Sequence, residues 1–495
     1  MISQITLPAA PRLACRFAGL LLSVLVAAFL SACANYAGIH SDKQIAEPTT
    51  YTTAQSIPAE QGHWPSADWA DQFGDAQLKA LITEALQGSP SLEKARARVA
   101  SAVAFSEGAN ANTLPQVGAG YSFNRQRYTE NAMVPPQFAG TWQSENKAFI
   151  NASYDLDLWG KNREALKSAV SGVHAGEAEA EQVKLTLSSA IARAYNELAR
   201  LYTLLDISSD EVRQRREVLR VTNGRVTMGL ETEVEKRTAE ANLAASEVAV
   251  AALEGSIQRT RYQLGALLGQ GPDRGLAIAR PNLGAGDDVR LPDNLPADLV
   301  SRRPDIVAAR WRVDATLHDI KVAKAEFYPD INLTAMIGLD AIGWGRFLRA
   351  ASRTASGGAA IHLPIFDGGA LRAQLKGRYA EFDFAVANYN ETLVNALTDV
   401  ATQLSDIRAV DAQIDNAVPS DTAAQRALTL ALAQYKAGLT TQLTVLNAQT
   451  NALRSSQVVA NLRMNRRDRQ IALAAALGGG FTDASESTTK AALVR

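Results

Sequence analysis

The chain has 495 residues, and its 50 Lys+Arg and 51 Asp+Glu nearly cancel, which removes the basic excess that nucleic-acid binding requires. Aromatic residues make up only 6% while Ala and Leu are abundant, a composition that points to long helices rather than a compact sheet protein. Both cysteines, Cys15 and Cys33, stand near the N-terminus, so the body of the chain has no disulfide framework and no Cys-based metal site.

The first element reads as a targeting segment. Arg12 and Arg16 supply a positive n-region, and residues 17–30 form an apolar run shorter than the ~20 residues of a spanning helix. The run ends in Leu30-Ser31-Ala32-Cys33, which is similar to a bacterial lipoprotein signal. Cleavage would remove residues 1–32 and leave Cys33 as the acylated first residue, with several acyl chains sufficient for stable anchoring. Residues 33–74 read as an irregular anchor segment.

From 75 to 270 the order is helix, strand, loop, strand, long helix, turn, long helix. Strands are expected at about 116–125 and 147–158 from period-two alternation. Val117, Ala119, Tyr121 and Phe123 interleave with Gly118, Gly120, Ser122 and Asn124, and Ala148, Ile150, Ala152 and Tyr154 with Phe149, Asn151, Ser153 and Asp155. The helix after Trp159-Gly160 is expected to reach about Asn223-Gly224, roughly 60 residues and ~90 Å. Leu187, Ile191, Ala194, Leu198, Leu201 and Leu205 step by four and three, the heptad spacing of helices that pack side by side. A turn at Gly229-Leu230 leads into a second helix with the same spacing, and segment 271–296, rich in Gly, Pro and Asp, reads as a linker.

Residues 297–480 repeat this plan. Ser89-Pro90-Ser91-Leu92 corresponds to Arg303-Pro304-Asp305-Ile306, Pro115 to Pro329, Gly229 to Gly438, and Leu268-Gly269 to Leu477-Gly478. Alternation predicts strands at about 330–340 and 358–366, and Leu393, Leu397, Val400, Leu404 and Ile407 restore the heptad. Residues 481–495 read as a disordered polar tail.

The fold class expected is mainly α with membrane β: long antiparallel coiled-coil helices plus four strands, in two internal repeats. No stretch after the leader has the ~20 apolar residues of a membrane helix, whereas each strand has the ~9–11 residues of a tilted membrane strand. Four strands cannot close a barrel, the smallest membrane barrels having about eight. Open edges in lipid would cost tens of kcal/mol, far more than the ~5–15 kcal/mol that stabilises a protein. Strands in a membrane therefore demand several copies in one barrel, with the small and polar face lining water. Four strands of a small soluble sheet are the competing reading of the pattern.

Two stretches carry a resemblance. One is Leu299-Val300-Ser301-Arg302-Arg303-Pro304-Asp305-Ile306, continuing through Ala323-Lys324-Ala325-Glu326-Phe327-Tyr328-Pro329-Asp330-Ile331; the other is Tyr435-Lys436-Ala437-Gly438-Leu439 running into Val445-Leu446-Asn447-Ala448-Gln449. With the lipoprotein signal, they make the chain resemble the TolC family of outer-membrane factors, in its NodT/OprM-like lipoprotein branch. The resemblance covers about residues 30–480. It implies a homotrimer with a twelve-stranded β-barrel in the outer membrane and an α-helical barrel across the periplasm. It also implies a periplasmic adaptor and an inner-membrane pump of the proton-driven RND class as partners, this chain being the passive exit. Ala34, not Asp, follows Cys33, which in such systems favours the outer membrane.

The resemblance assigns adaptor docking to the tips at Gly229, Leu230, Gly438, Leu439 and Thr440. Turn chemistry alone would also place glycine there. It assigns the periplasmic constriction, which carries Asp in many members, to Thr444 and Asn447; neither is acidic, so a gate here rests on hydrogen bonds and packing. Glu231, Glu233 and Glu235 read as a solvated helix start suited to the dipole. No catalytic constellation is found: His40, His63, His174, His318 and His362 are scattered and read as surface or lumen-facing, and no phosphate loop or HExxH motif occurs. The run Arg463, Arg466, Arg467 and Arg469 reads as a solvated or intersubunit helix face. No metal or cofactor is expected beyond the lipid on Cys33. The alternative function is a structural periplasmic coiled-coil lipoprotein without a pore.

Overall fold

The computed structural model describes residues 36–53, 55–58, 60–131, 133–286, 290–293 and 295–483. The signal segment, Cys33 and the tail beyond 483 lie outside the described residues. The elements in order are α1 (Ala76–Gly88), α2 (Pro90–Ala111), β1 (Gln116–Arg127), β2 (Trp142–Asp155), α3 (Lys161–Thr227), α4 (Glu233–Leu267), α5 (Pro272–Leu276), α6 (Leu295–Arg302), α7 (Pro304–Ala325), β3 (Asp330–Ile342), α8 (Trp344–Phe347), β4 (Arg353–His362), α9 (Ala370–Lys436) and α10 (Gln442–Ala476). The repeat is visible in the lengths: α2 and α7 have 22 residues each, α3 and α9 have 67, and α4 and α10 have 35.

The chain divides into two units. The first comprises, of the described residues, those from Tyr36 to Gln44 with Ala100–His174 and Trp311–Ala387. It holds one antiparallel sheet in the order β1-β2-β3-β4, so β1 and β4 are edges. Register runs Ala119↔Ile150↔Ile337↔Ala355, which keeps every alternate side chain on a common face. Where the helices join the strands, Ile39, Ile320, Ala323, Phe327 and Leu375 form a buried cluster. Tyr328 stacks on Trp159 at 4.6 Å and the Trp159 indole donates to the Pro329 carbonyl at 2.9 Å, which ties the segment between α7 and β3 to the one between β2 and α3.

Two strands differ from their sequence-derived bounds. β2 begins at Trp142 and stops at Asp155 instead of spanning 147–158. Asp155 accepts the Asp157 N–H at 2.8 Å and Asp157 adopts φ 44, a side-chain turn that ends the strand. At the other end Asn146 falls on the apolar face, so alternation breaks although pairing continues. β4 occupies Arg353–His362 rather than 358–366. Arg353 through Gly357 pair with Leu339 through Ala335, ahead of the expected start, and pairing ends before Pro364, which has no N–H to donate.

The second unit comprises, of the described residues, those within Ile45–Val99, Ala175–Arg310 and Asn388 to Asp483. Its core gathers Trp69, Phe73, Leu78, Leu81, Ile191, Tyr195, Leu198, Leu264 and Ile471. Asp75 caps α1 by accepting the Gln77 N–H at 2.9 Å and also accepts the buried Tyr195 hydroxyl at 2.8 Å. Burial together with that bond pushes the Tyr195 phenol up. α9 carries Pro419 in its interior, which removes one helical hydrogen bond; buried Leu404, Ile407 and Val410 before it and Leu428 and Ala431 after it hold the helix on course. Among the described residues no helix is long and apolar enough to cross a membrane.

Candidate functional site

The sheet has two unlike faces. Val117, Ala119, Tyr121 and Phe123 lie beside Ala152, Ile150 and Ala148, then Leu333, Ala335, Ile337 and Leu339. This apolar face is unusually open for its chemistry: Val117 is 71% exposed, Ile337 61% and Ile361 69%. Apolar side chains so exposed over all four strands require an apolar solvent or a partner. The opposite face carries Gly118, Gly120, Ser122, Asn151, Lys147, Thr334, Asp340, Ser356 and Gly358. There Lys147 pairs with Asp340 at 3.1 Å across the register and with Glu145 at 3.5 Å. Phe149 stands opposite Gly120 and Gly338: its ring lies over Gly120, where a Cβ would stand 2.7 Å from it, and a Cβ at Gly338 would stand 2.2 Å from the Ala148 carbonyl oxygen.

Aromatic side chains collect at the hairpin end of the apolar face. Trp344 lies 6.0 Å from Phe123, and Phe347 lies 6.0 Å from Tyr121. Tyr154 and Trp159 stand at the other end of β2, so the apolar band is flanked by aromatics. The 12 residues of β1 extend ~40 Å, enough for a tilted strand to cross a bilayer core.

The tips of the second unit are built twice from one rule. At the end of α3 the Leu230 N–H returns to the Arg225 carbonyl at 2.9 Å and the Gly229 N–H to Val226 at 2.9 Å; at the end of α9 Leu439 returns to Gln434 at 2.8 Å and Gly438 to Tyr435 at 3.0 Å. This closure needs a left-handed residue, and Gly229 (φ 73) and Gly438 (φ 78) supply it. The following helices start at Thr232, whose side chain and that of Glu235 form a capping box, and at Thr441. Leu230 and Leu439 are exposed, Thr440 is half-buried, and Thr444 and Asn447 are exposed on the first turns of α10.

The two tips touch within the chain: a Cβ on Gly438 would stand 3.5 Å from Arg225 Nη1. Between them lies a polar network that the sequence did not reveal. Tyr435, 1% exposed, donates to Glu231 at 2.8 Å and meets the Thr222 hydroxyl at 2.8 Å. The Arg225 guanidinium donates to Glu231 at 3.1 Å and lies 5.2 Å above the Tyr435 ring. Gln442 donates to Thr222 at 3.3 Å and to the Glu235 carbonyl at 3.0 Å. Val218, Ala431 and Val445 pack around it. Burial, with the bond to Glu231 and against that from Thr222, pushes the Tyr435 phenol up to about 12. Glu231 is thus not part of a solvated helix start: its side chain is 9% exposed and its carboxylate is spent on Arg225 and Tyr435. Glu235 serves the cap and Glu233 remains exposed, as expected of a helix start.

Other singled-out residues have structural work. His318 is not at a surface: its Nδ1 meets Glu164 at 2.5 Å and its side chain is mostly buried. His174 lies against Trp311, ring centroids 4.6 Å apart and planes tilted by 38°. In the basic run, Arg466 pairs with Asp411 at 2.6 Å and donates to the Ala285 carbonyl at 2.9 Å, and Arg467 donates to the Leu283 carbonyl at 2.9 Å, so these two clamp the linker, while Arg463 is exposed and Arg469 pairs with Asp406 at 3.0 Å. In the signature stretch, Arg303 binds Asp305 through two bonds, 3.0 and 2.6 Å, and donates to the Ala476 carbonyl at 3.1 Å, capping the C-terminus of α10. Among the described residues no cluster of His, Cys, Asp or Glu could hold a metal ion.

A sheet of membrane length with one apolar and one polar face, in a chain that also has paired 67- and 35-residue helices, is the pattern of an outer-membrane channel. The family described as outer membrane efflux protein matches residues 81–270 and 295–479, and the chain belongs to it. The outer-membrane protein VceC of Vibrio cholerae, a solved structure, is 37% identical, with 84% of this chain and 100% of that chain covered and a TM-score of 0.78. The multidrug resistance outer membrane protein MdtP of Escherichia coli (strain K12) is 32% identical over 480 residues, 93% of this chain and 96% of MdtP. The fusaric acid resistance protein FusA of Burkholderia cepacia is 40% identical over 319 residues, 63% of this chain and 59% of FusA. The protein is therefore an efflux channel of the outer membrane and not an enzyme, and the reading as a scaffold without a pore is set aside.

Proposed function

We propose that three copies close one twelve-stranded barrel and form the passive exit duct of a tripartite efflux system. The observation that carries this is the pair of open sheet edges, β1 and β4. In an antiparallel strand alternate residues turn both backbone groups away from the neighbour. About half the 12 residues of β1 and half the 10 of β4 would leave N–H and C=O groups unpaired. At about 2 kcal/mol per group, the low end for desolvation without a partner, a lone sheet in lipid would lose on the order of 40 kcal/mol. Pairing β1 of one copy with β4 of the next recovers all of it.

In this reading the polar sheet face lines the pore, the exposed leucines and glycine turns at Gly229, Leu230, Gly438, Leu439 and Thr440 dock a periplasmic adaptor, and an RND-class inner-membrane pump supplies the energy. Thr444 and Asn447 surround the constriction without a carboxylate ring. Cys33 carries the lipid anchor. FusA and MdtP are named for resistance to fusaric acid and to multiple drugs; small organic toxicants of that kind are the proposed cargo.

The test is conductance of the purified full-length protein in a planar bilayer, with native mass spectrometry of the same sample. Discrete channels from a species of three chains are expected. Channels from single chains would defeat the shared barrel. Intact-mass analysis of membrane-extracted protein should show a lipidated Cys33, and a C33S variant should lose the lipid while still inserting.

A further inference from the structure

The hairpin end of the sheet, which in the duct proposed above faces the cell exterior, carries a charge imbalance that pore formation does not use. Its carboxylates are Glu130, Glu145 and Asp340, and each is engaged: Glu130 with Arg127 at 3.1 Å, and Glu145 and Asp340 with Lys147. Arg125, Arg346, Arg349 and Arg353 have no carboxylate partner among the described residues, and all four are exposed. Arg125 and Arg353 extend the register of the apolar face, following Phe123 on β1 and standing opposite Leu339.

The segment between β3 and β4 explains how the others reach the same side. Gly343 donates to the Ser144 carbonyl at 2.7 Å and turns the chain back over the apolar face. α8 then lies on that face, with Phe347 buried against Tyr121 and Ala341 buried on the strand that precedes it. Trp344 stacks beside Phe123 yet stays 64% exposed, and Leu348 is 83% exposed. The result is an amphipathic ledge, apolar toward the bilayer core and bearing Arg346 and Arg349 beside Arg353.

Given that the apolar face contacts lipid, as argued above, we infer that this ledge is a collar that binds the phosphate groups of lipid headgroups in the outer leaflet. Trp344 and Leu348 enter the interface, where an indole is at home, and the arginines meet the phosphates directly above it. Guanidinium groups suit this role because they present a planar fork to phosphate oxygens and cannot deprotonate. The charge complementarity selects a lipid whose phosphates leave it net anionic over a zwitterionic one, whose phosphate is balanced by its own cation.

The experiment uses the full-length protein in phosphatidylcholine vesicles containing either diphosphoryl lipid A or the same lipid stripped of its phosphates. Lipid retained after gentle re-extraction is counted by native mass spectrometry. The wild type is expected to retain the phosphorylated form at least tenfold over the dephosphorylated one, and to lose that preference at high salt. A variant with R346Q, R349Q and R353Q should insert and conduct as the wild type does but retain both lipids alike, and Lys at the same positions should restore part of the preference. Equal retention of the two lipids by the wild type, or a Gln variant that keeps the full preference, overturns the collar while leaving the channel intact. A wild type that does not enter either vesicle overturns the membrane reading of the sheet and the collar with it.

Discussion

Replacing Glu231 by Gln tests what holds the two tips of one chain together. Gln keeps the shape and an acceptor for Tyr435, but it removes the charge opposite Arg225, whose side chain is 18% exposed. Breaking a fully buried pair costs about 3–5 kcal/mol and an exposed one about 0–1 kcal/mol. With this degree of burial and the cation–π contact to Tyr435 retained, the loss should be about 2 kcal/mol, which is about 30-fold in the local opening equilibrium. Hydrogen exchange followed by mass spectrometry should show faster exchange in peptides covering Val218 to Glu235 and Ala431 to Val445. The core around Ile191, Leu198 and Leu264 should be unchanged, since none of those residues joins the network. Tyr435→Phe should act on the same peptides by removing the bonds to Thr222 and Glu231, and the double variant should be less than additive because the two share one network. Exchange in E231Q within about twofold of wild type, well short of the 30-fold expectation, would refute the claim that this ion pair latches the tip.

Three further outcomes are expected. Gly438→Val places a β-branched residue at φ 78 and should cost about 1–2 kcal/mol at the tip; drug-susceptibility assays should show export impaired while native electrophoresis shows assembly preserved. Arg303→Lys loses the two-pronged grip on Asp305 and the cap on Ala476, so thermal melting should fall by several degrees even though charge is kept. Burial raises the Glu164 carboxyl, but hydrogen bonds from Lys167 and His318 and the Lys321 charge outweigh it and hold the group at about 2. Its folded value lies below the ordinary one, so its contribution is present above pH 4.5 and drains away as pH falls toward 2; E164Q should flatten that part of the acid melting profile.

The legible parts of this fold are those encoded by period and by punctuation. The heptad from Leu187 to Leu205 marked α3, alternation from Val117 to Phe123 marked β1, and Gly229 and Gly438 marked the reversals. Each is a local rule, decided by dihedral preference and by which face must leave water. The internal repeat was readable for the same reason, since two copies of one pattern select the same helix lengths. Pro419 shows where local rules give way: alone it argues for a break, and packing on both sides carries α9 through it.

The tip network was beyond reach because its members come from four helix ends and turns. Glu231 looks solvated in sequence, and only the approach of Tyr435 from the other hairpin makes it a buried acceptor. The bounds of β2 and β4 depended on pairing partners: Asn146 breaks the alternation yet stays in register, and Arg353 through Gly357 are strand residues only because β3 lies beside them. Arg466 and Arg467 read as a charged face until the linker folds over them. The sequence by itself determined the elements, their order, their duplication and the faces that avoid water, since those follow from each residue's own geometry and hydration. The tertiary structure alone decided which polar groups meet, because a hydrogen bond or ion pair is set by the distance between side chains that the sequence holds far apart.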